Sequence, residues 1–261
     1  MPAWTYGMFV WRELSTSDVE GSLRFYGELA GWKSKRVDMP NGPYHLLFKG
    51  EKQVGGLMAL APGVDMPPYW MSYLSVPDVD AAVAAARRLG GEVVWGPLEV
   101  EDLGRMATLV DPRGGAFSLM KASKGDPEFT PPVAGEFCWE QLASADRANA
   151  KSFYGEVVGW KAMAFPGGQL ETFGFGPNPG EQAATLIPAV PGQPMGWMSF
   201  VVVGALGPAC ERTVRLGGKV LSATTVVPGI GSYSVIRTPR ARCSGCSGAE
   251  RGGERARPPT C

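Results

Sequence analysis

From Met8 to Leu14 the chain reads as a strand, and Ser17-Asp18-Val19-Glu20 then has the form of a capping box opening a helix that carries Leu23, Phe25, Tyr26 and Leu29. Gly31 ends that helix. Three short strands follow around Trp32–Val37, Tyr44–Phe48 and Val54–Leu60, punctuated by Pro40-Asn41-Gly42 and Gly50-Glu51. The same order then returns: a strand over Met71–Val76, an alanine-rich helix over Val79–Leu89 stopped by Gly90-Gly91, and strands at Glu92–Trp95, Arg105–Val110 and Ala116–Lys121. A strand, a helix and three strands make a mostly antiparallel sheet with its helix on one face, and two such sheets side by side curve around a pocket.

A longer repeat overlies this one. Phe25-Tyr26-Gly27-Glu28 recurs as Phe153-Tyr154-Gly155-Glu156, and Trp11, Leu14 and Asp18 as Trp139, Leu142 and Asp146, all 128 positions on. The offset becomes 127 at Trp70-Met71-Ser72 and Trp197-Met198-Ser199, and again at Arg88-Leu89-Gly90-Gly91 and Arg215-Leu216-Gly217-Gly218. The chain therefore reads as two copies of one module, over residues 1–123 and 135–239, each built of two βαβββ units. The proline-bearing stretch 124–134 reads as a linker.

These residues resemble a known superfamily. Phe-Val-Trp-x-Glu-Leu-x-Thr-x-Asp from Phe9, Phe-Tyr-Gly-Glu-x-x-Gly-Trp from Phe25 and Asp-Pro-x-Gly-x-x-Phe from Asp111 resemble the glyoxalase/bleomycin-resistance/extradiol-dioxygenase (vicinal oxygen chelate) superfamily in its tandem two-module bacterial form. The resemblance implies an α+β fold of open, barrel-like curved sheets. It does not select a reaction, because the fold hosts isomerases, lyases, dioxygenases, thiol transferases and drug-sequestering proteins. It also implies where a divalent metal would sit in the family's enzymes. Those positions fall on Trp11 and Trp139 in the first strands, Met71 and Met198 in the strands opening the second units, and Ser118 in the last strand. An indole donates only N–H and a thioether is soft, so no family-type metal site and no cofactor are expected.

With strand period two, Phe9, Trp11 and Glu13 line the pocket of the first copy, with Met71, Tyr73, Ala116, Ser118 and Met120 opposite. Phe137, Trp139, Gln141, Met198 and Phe200 line that of the second. Such an aromatic, thioether-rich lining suits a flat apolar ligand, and equally suits a self-filled core. Glu13 is the candidate catalytic residue: buried beside Trp11 it acts as a proton-transfer group or hydrogen-bond anchor, and at the rim it pairs with Arg12 or Arg105. His45 is either a lone base or a partly exposed strand residue.

Composition narrows the field. His45 is the single histidine of 261 residues, which excludes any two-imidazole centre within one chain. The 25 basic and 25 acidic side chains balance, giving no reason to expect nucleic acid or an acidic membrane surface. Few cysteines, no apolar run of membrane length and no signal-like N-terminus point to the cytoplasm. The balance conceals a basic tail: Thr238–Cys261 holds five arginines against Glu250 and Glu254. Shifting the reading frame by one base near Arg237 allows Asp-Pro-Gln-Gly-Ala-Val-Phe-Gly-Leu-Phe-Arg, the strand that the second copy otherwise lacks. The expectation is thus a frameshifted C-terminus, disordered from residue 240, and a weakened second pocket. The functional expectation is metal-independent binding of a small apolar or aromatic metabolite, in antibiotic resistance or secondary metabolism, by a monomer with paired modules or a homodimer. The alternative is a metal-dependent lyase, isomerase or dioxygenase, including a hydroxylase-like enzyme.

Overall fold

The structure is a computed structural model that describes residues 3–40, 42–64, 66–164, 171–175, 181–190, 195–222, 224–227, 231–239 and, for the backbone alone, 244–248. In the first half, β1 (Phe9–Thr16), α1 (Val19–Ala30), β2 (Lys33–Met39), β3 (Gly42–Lys49) and β4 (Lys52–Ala59) are followed by β5 (Tyr69–Ser75), α2 (Val79–Arg88), β6 (Glu92–Val100), β7 (Gly104–Val110) and β8 (Ala116–Ala122). They form one open sheet in the order β2-β3-β4-β1-β5-β8-β7-β6. The β1·β4 and β5·β8 ladders are parallel and the rest antiparallel, so the sheet is mixed.

The second half contains β9 (Phe137–Ser144), α3 (Arg147–Val158), β10 (Lys161–Ala164), β11 (Glu171–Gly174), β12 (Gln182–Pro188), β13 (Gly196–Val203), α4 (Leu206–Arg215), β14 (Lys219–Val220), β15 (Thr225–Val227), β16 (Gly231–Arg237) and β17 (Ser244–Gly248). Its main path is β10-β11-β12-β9-β13-β17-β16-β14, with β15 pairing β16. This corrects the expectation of a missing last strand. Ser244–Gly248 fills the slot of β8, parallel to β13 and antiparallel to β16. Backbone hydrogen bonds define that slot, and backbone groups are common to every sequence, so a glycine- and serine-rich segment can occupy it. The remainder of the expected disordered tail, residues 240–243 and 249–261, lies outside the described residues.

Helix boundaries follow their capping chemistry. Asp18, Asp78 and Asp146 accept the backbone N–H three residues on, and Gly31 and Gly159 end α1 and α3 in the left-handed conformation. Each half packs its helices on the other. Phe153, Tyr154 and Val157 of α3 share a core with Ala82, Ala85 and Ala86 of α2 and with Phe117 and Leu119 of β8. Phe25, Tyr26 and Leu29 of α1 share another with Leu206 and Ala209 of α4. Between the sheets the repeat brings counterparts face to face. Arg12 Nε donates to Oε1 of its own counterpart, Glu140, at 2.8 Å. Ser72 and Ser199, also counterparts, lie 3.0 Å apart and both donate to Glu140 Oε2. Glu140 is fully buried, and this cation with two hydroxyls satisfies its charge.

Residues 124–134 contain no helix or strand. They are nonetheless anchored, since Asp126 accepts from the Thr5 amide at 2.7 Å and from the Ser75 hydroxyl at 2.6 Å.

Candidate functional site

One face of the first sheet, the first cup, gathers Trp11, Met71, Tyr73, Ala116 and Met120 into one cluster with Tyr69, Val100 and Met106. Register explains the grouping. Trp11 lies opposite Tyr73 and Glu13 opposite Met71 across β1·β5, and Tyr73 is level with Ser118 across β5·β8. Directly paired residues project to the same side of a sheet. Ser118 is buried, 2.9 Å from the Thr108 hydroxyl.

Glu13 is the polar centre of this cup. Tyr44 donates to Oε2 at 2.8 Å and Tyr73 to Oε1 at 3.3 Å, while the Trp11 indole donates to the Tyr44 hydroxyl at 3.2 Å. Burial pushes the Glu13 carboxyl above its usual range, and the two phenol hydrogen bonds oppose that rise without cancelling it. Burial and the neighbouring carboxylate raise both phenols, so they stay protonated and act as donors. Neither arginine expected at the rim partners Glu13: Arg12 is held by Glu140 on the opposite face, and Arg105 is paired with Asp80. Tyr44 was absent from the expected lining. It lies on β3, two strands from Glu13, and reaches across because Gly56 on the intervening β4 has no side chain; a Cβ there would fall 1.7 Å from the Tyr44 hydroxyl.

In the second half Trp139, Met198 and Phe200 come together with Cys138, Val235, Leu221 and Tyr233. Gln141 is level with Met198 and Thr185. Thr185 stands where the first half has Gly56, and its hydroxyl takes the Trp139 N–H at 3.2 Å. The second cup thus replaces Glu13 by Gln141 and Tyr73 by Phe200.

Two expected lining residues are elsewhere. Phe9 packs edge-on against Trp197 and at a tilt against Trp160 of the second half. Phe137 packs against Trp32 and Trp70 of the first. In each first strand the ladder skips one residue after the phenylalanine, a bulge that breaks the period-two pattern and turns that ring toward the interface between halves. His45 shares a sheet face with buried Leu47, away from the cup, and its Nδ1 is buried without a hydrogen-bond partner.

The donor set does not fit a hard divalent cation. The positions expected for metal ligands present an indole, a thioether and a hydroxyl, and the Glu13 carboxylate beside them already accepts two phenol hydrogens. Among the described residues no three His, Cys, Asp or Glu side chains are grouped for metal binding. No helix of the described residues is long and apolar enough to cross a membrane. Two cavities, of about 240 and 220 Å³, lie away from the cup, one beside Asp18, Tyr26 and Thr238, the other beside Lys49 and Arg212.

The sequence model of the Glyoxalase-like domain family matches residues 11–120. Among solved structures, the Mn(II)-bound glyoxalase from Novosphingobium aromaticivorans superposes with a TM-score of 0.63 at 16% identity, over 93% of this chain and 82% of its own. Homoprotocatechuate 2,3-dioxygenase from Arthrobacter globiformis gives 0.64 at 14% identity, over 98% and 84%. Residues 11–120 are thus similar to Glyoxalase-like domains, and the chain as a whole shares the fold of these two structures. The chain is 28% identical to CFP32 of Mycobacterium tuberculosis, provisionally named a glyoxylase, over 88% of this chain and 90% of that one. It is 29% identical to the anthracycline biosynthesis protein DnrV of Streptomyces peucetius, over 82% and 83%. These likenesses account for the fold; the chemistry has to come from the cup.

Proposed function

We propose that this chain is a tandem pair of glyoxalase-like modules whose first cup binds a small, flat, aromatic metabolite without a metal ion. The observation carrying this reading is the Glu13 carboxylate held by Tyr44 and Tyr73 within a wall of Trp11, Met71 and Met106. Aromatic faces and thioethers supply sequence-tolerant apolar contact, and one oriented carboxylate fixes the ligand's direction. A carboxyl raised by burial also exchanges a proton nearer neutrality than an exposed one, so Glu13 can accept or return the proton of a bound hydroxyl or activated C–H group. The relative named for anthracycline biosynthesis supports a polyketide-like aromatic in secondary metabolism, and the balanced charge gives no attraction to an acidic membrane surface.

Tryptophan-fluorescence quenching by a panel of planar metabolites tests this. Trp11→Ala is expected to weaken binding at least tenfold, whereas Cys210→Ala, on the remote α4, leaves it unchanged. Equal effects would sink the assignment. Stoichiometric Fe, Mn, Ni or Zn in purified protein, with activity lost to a chelator, would replace it with a metal-dependent lyase, isomerase or dioxygenase.

A further inference from the structure

The Glu13 cup has an unusual charge balance. Its centre is a carboxylate, and among the described residues no basic side chain pairs with it. Only phenol hydroxyls approach, and they orient the carboxylate without neutralising it. Arg12, its chain neighbour, is turned to the opposite face and committed to Glu140. On the cup side the next cations by register are Lys33 and Lys35 of β2, level with Phe48 and Leu46. Both are exposed and stand three strands from β1, roughly 14 Å away at the usual strand spacing. Around Glu13 stand the aromatic side chains of Trp11, Tyr44 and Tyr73, and Met71, with its polarisable sulfur, lies level with it across β1·β5. A desolvated carboxylate beside aromatic faces is complementary to an organic cation, which gains from both the charge and the ring quadrupoles. It is unfavourable for a carboxylate or phosphate.

We propose that the first cup selects aromatic ligands carrying an ammonium group, with the cation seated on Glu13 and against the Trp11 and Tyr73 rings. This names the ligand class for the site proposed above and rests on that reading. The selection is one-sided, because the second cup has Gln141 and Phe200 in place of Glu13 and Tyr73 and keeps only the apolar part of the site.

The test uses the intact chain and two probes of the same shape: (2-naphthylmethyl)trimethylammonium, whose charge does not titrate, and its carbon isostere 2-neopentylnaphthalene. The readout is the ratio of their dissociation constants. At pH 8 the cation is expected to bind at least tenfold more tightly. The ratio should fall toward one as pH is lowered through the Glu13 titration, and also in Glu13→Gln, whatever that variant does to either affinity alone. Tyr44→Phe removes a competing donor and keeps the carboxylate, so it should preserve the ratio. A ratio near one in the unmodified chain, or a preference that survives in Glu13→Gln, overturns the cation assignment while leaving a neutral aromatic site standing. Binding of neither naphthalene overturns the site itself, and the cation assignment with it.

Discussion

The two halves share strand order, paired helices and a tryptophan–methionine cup, and differ most where chemistry would be done. In the first half Gly56 opens a space that the Tyr44 hydroxyl fills to meet Glu13. In the second, Thr185 fills the equivalent space and satisfies Trp139 by itself, and a neutral amide, Gln141, stands where the carboxylate was. Every polar atom of the second cup can be satisfied without ionisation, whereas the first keeps an ionisable group at a desolvation cost. Proteins retain such costs mainly at working sites. The same asymmetry recurs between the halves, where Arg12 meets its counterpart Glu140. An identical pair of modules would set like charges against each other there, so divergence of the copies allows a fully buried carboxylate at their contact.

The contrast can be broken at four points. Glu140→Ala leaves Arg12 facing the interface without its anion, and should cost about 3–5 kcal/mol in denaturant unfolding. The exchange Arg12→Glu with Glu140→Arg should recover part of that loss, and no recovery would show that the pair is not what joins the halves. Asp111→Thr writes the second half's Thr238 into the first. It removes the acceptor of the Arg113 and Gly115 amides and of the buried Tyr154 hydroxyl, for an expected loss of about 2–3 kcal/mol in the same measurement. Gly56→Thr writes in Thr185 and drives a Cβ into the Tyr44 hydroxyl. Overpacking of this kind costs about 1–3 kcal/mol, and displacement of Tyr44 should abolish aromatic-ligand binding seen by fluorescence; a variant that binds normally would remove Tyr44 from the site.

Glu13→Gln should have the smallest effect on stability and the most informative sign. The folded state holds the Glu13 proton more tightly than the unfolded chain does, so stability is full below the ordinary glutamate range and declines as pH rises toward the raised value. Above that window the ionised carboxylate is a net burden. The variant should therefore be at least as stable as the parent at neutral pH and should lose this part of the pH dependence, as followed by thermal unfolding from pH 4 to 8. Marked destabilisation at neutral pH would make Glu13 a structural residue.

Much of the fold can be read from local chemistry. Asp18 and Asp146 cap the helices they were expected to open, and the spaced tryptophan, methionine and double-glycine anchors mark two halves with matching strand order. In the cup, Trp11, Met71, Tyr73 and Met120 assemble as strict alternation requires. Alternation failed at Phe9 and Phe137 because a bulge has no fixed sequence signature and inverts every side chain beyond it. Tyr44 was missed because its partner is 31 positions away, although Gly55-Gly56 inside a strand was a sign of close approach. The last strand was misjudged for a related reason: side-chain composition gave no apolar pattern, yet the slot between β13 and β16 offers backbone partners on both sides to any segment that reaches it.

The central claim is that the first cup, and not the second, holds the ligand. Calorimetric titration of one planar aromatic ligand into the intact chain, Trp11→Ala and Trp139→Ala tests it most directly. The expected result is one equivalent bound per chain, an affinity at least tenfold lower in Trp11→Ala and unchanged in Trp139→Ala. Two equivalents, or a loss confined to Trp139→Ala, would contradict it.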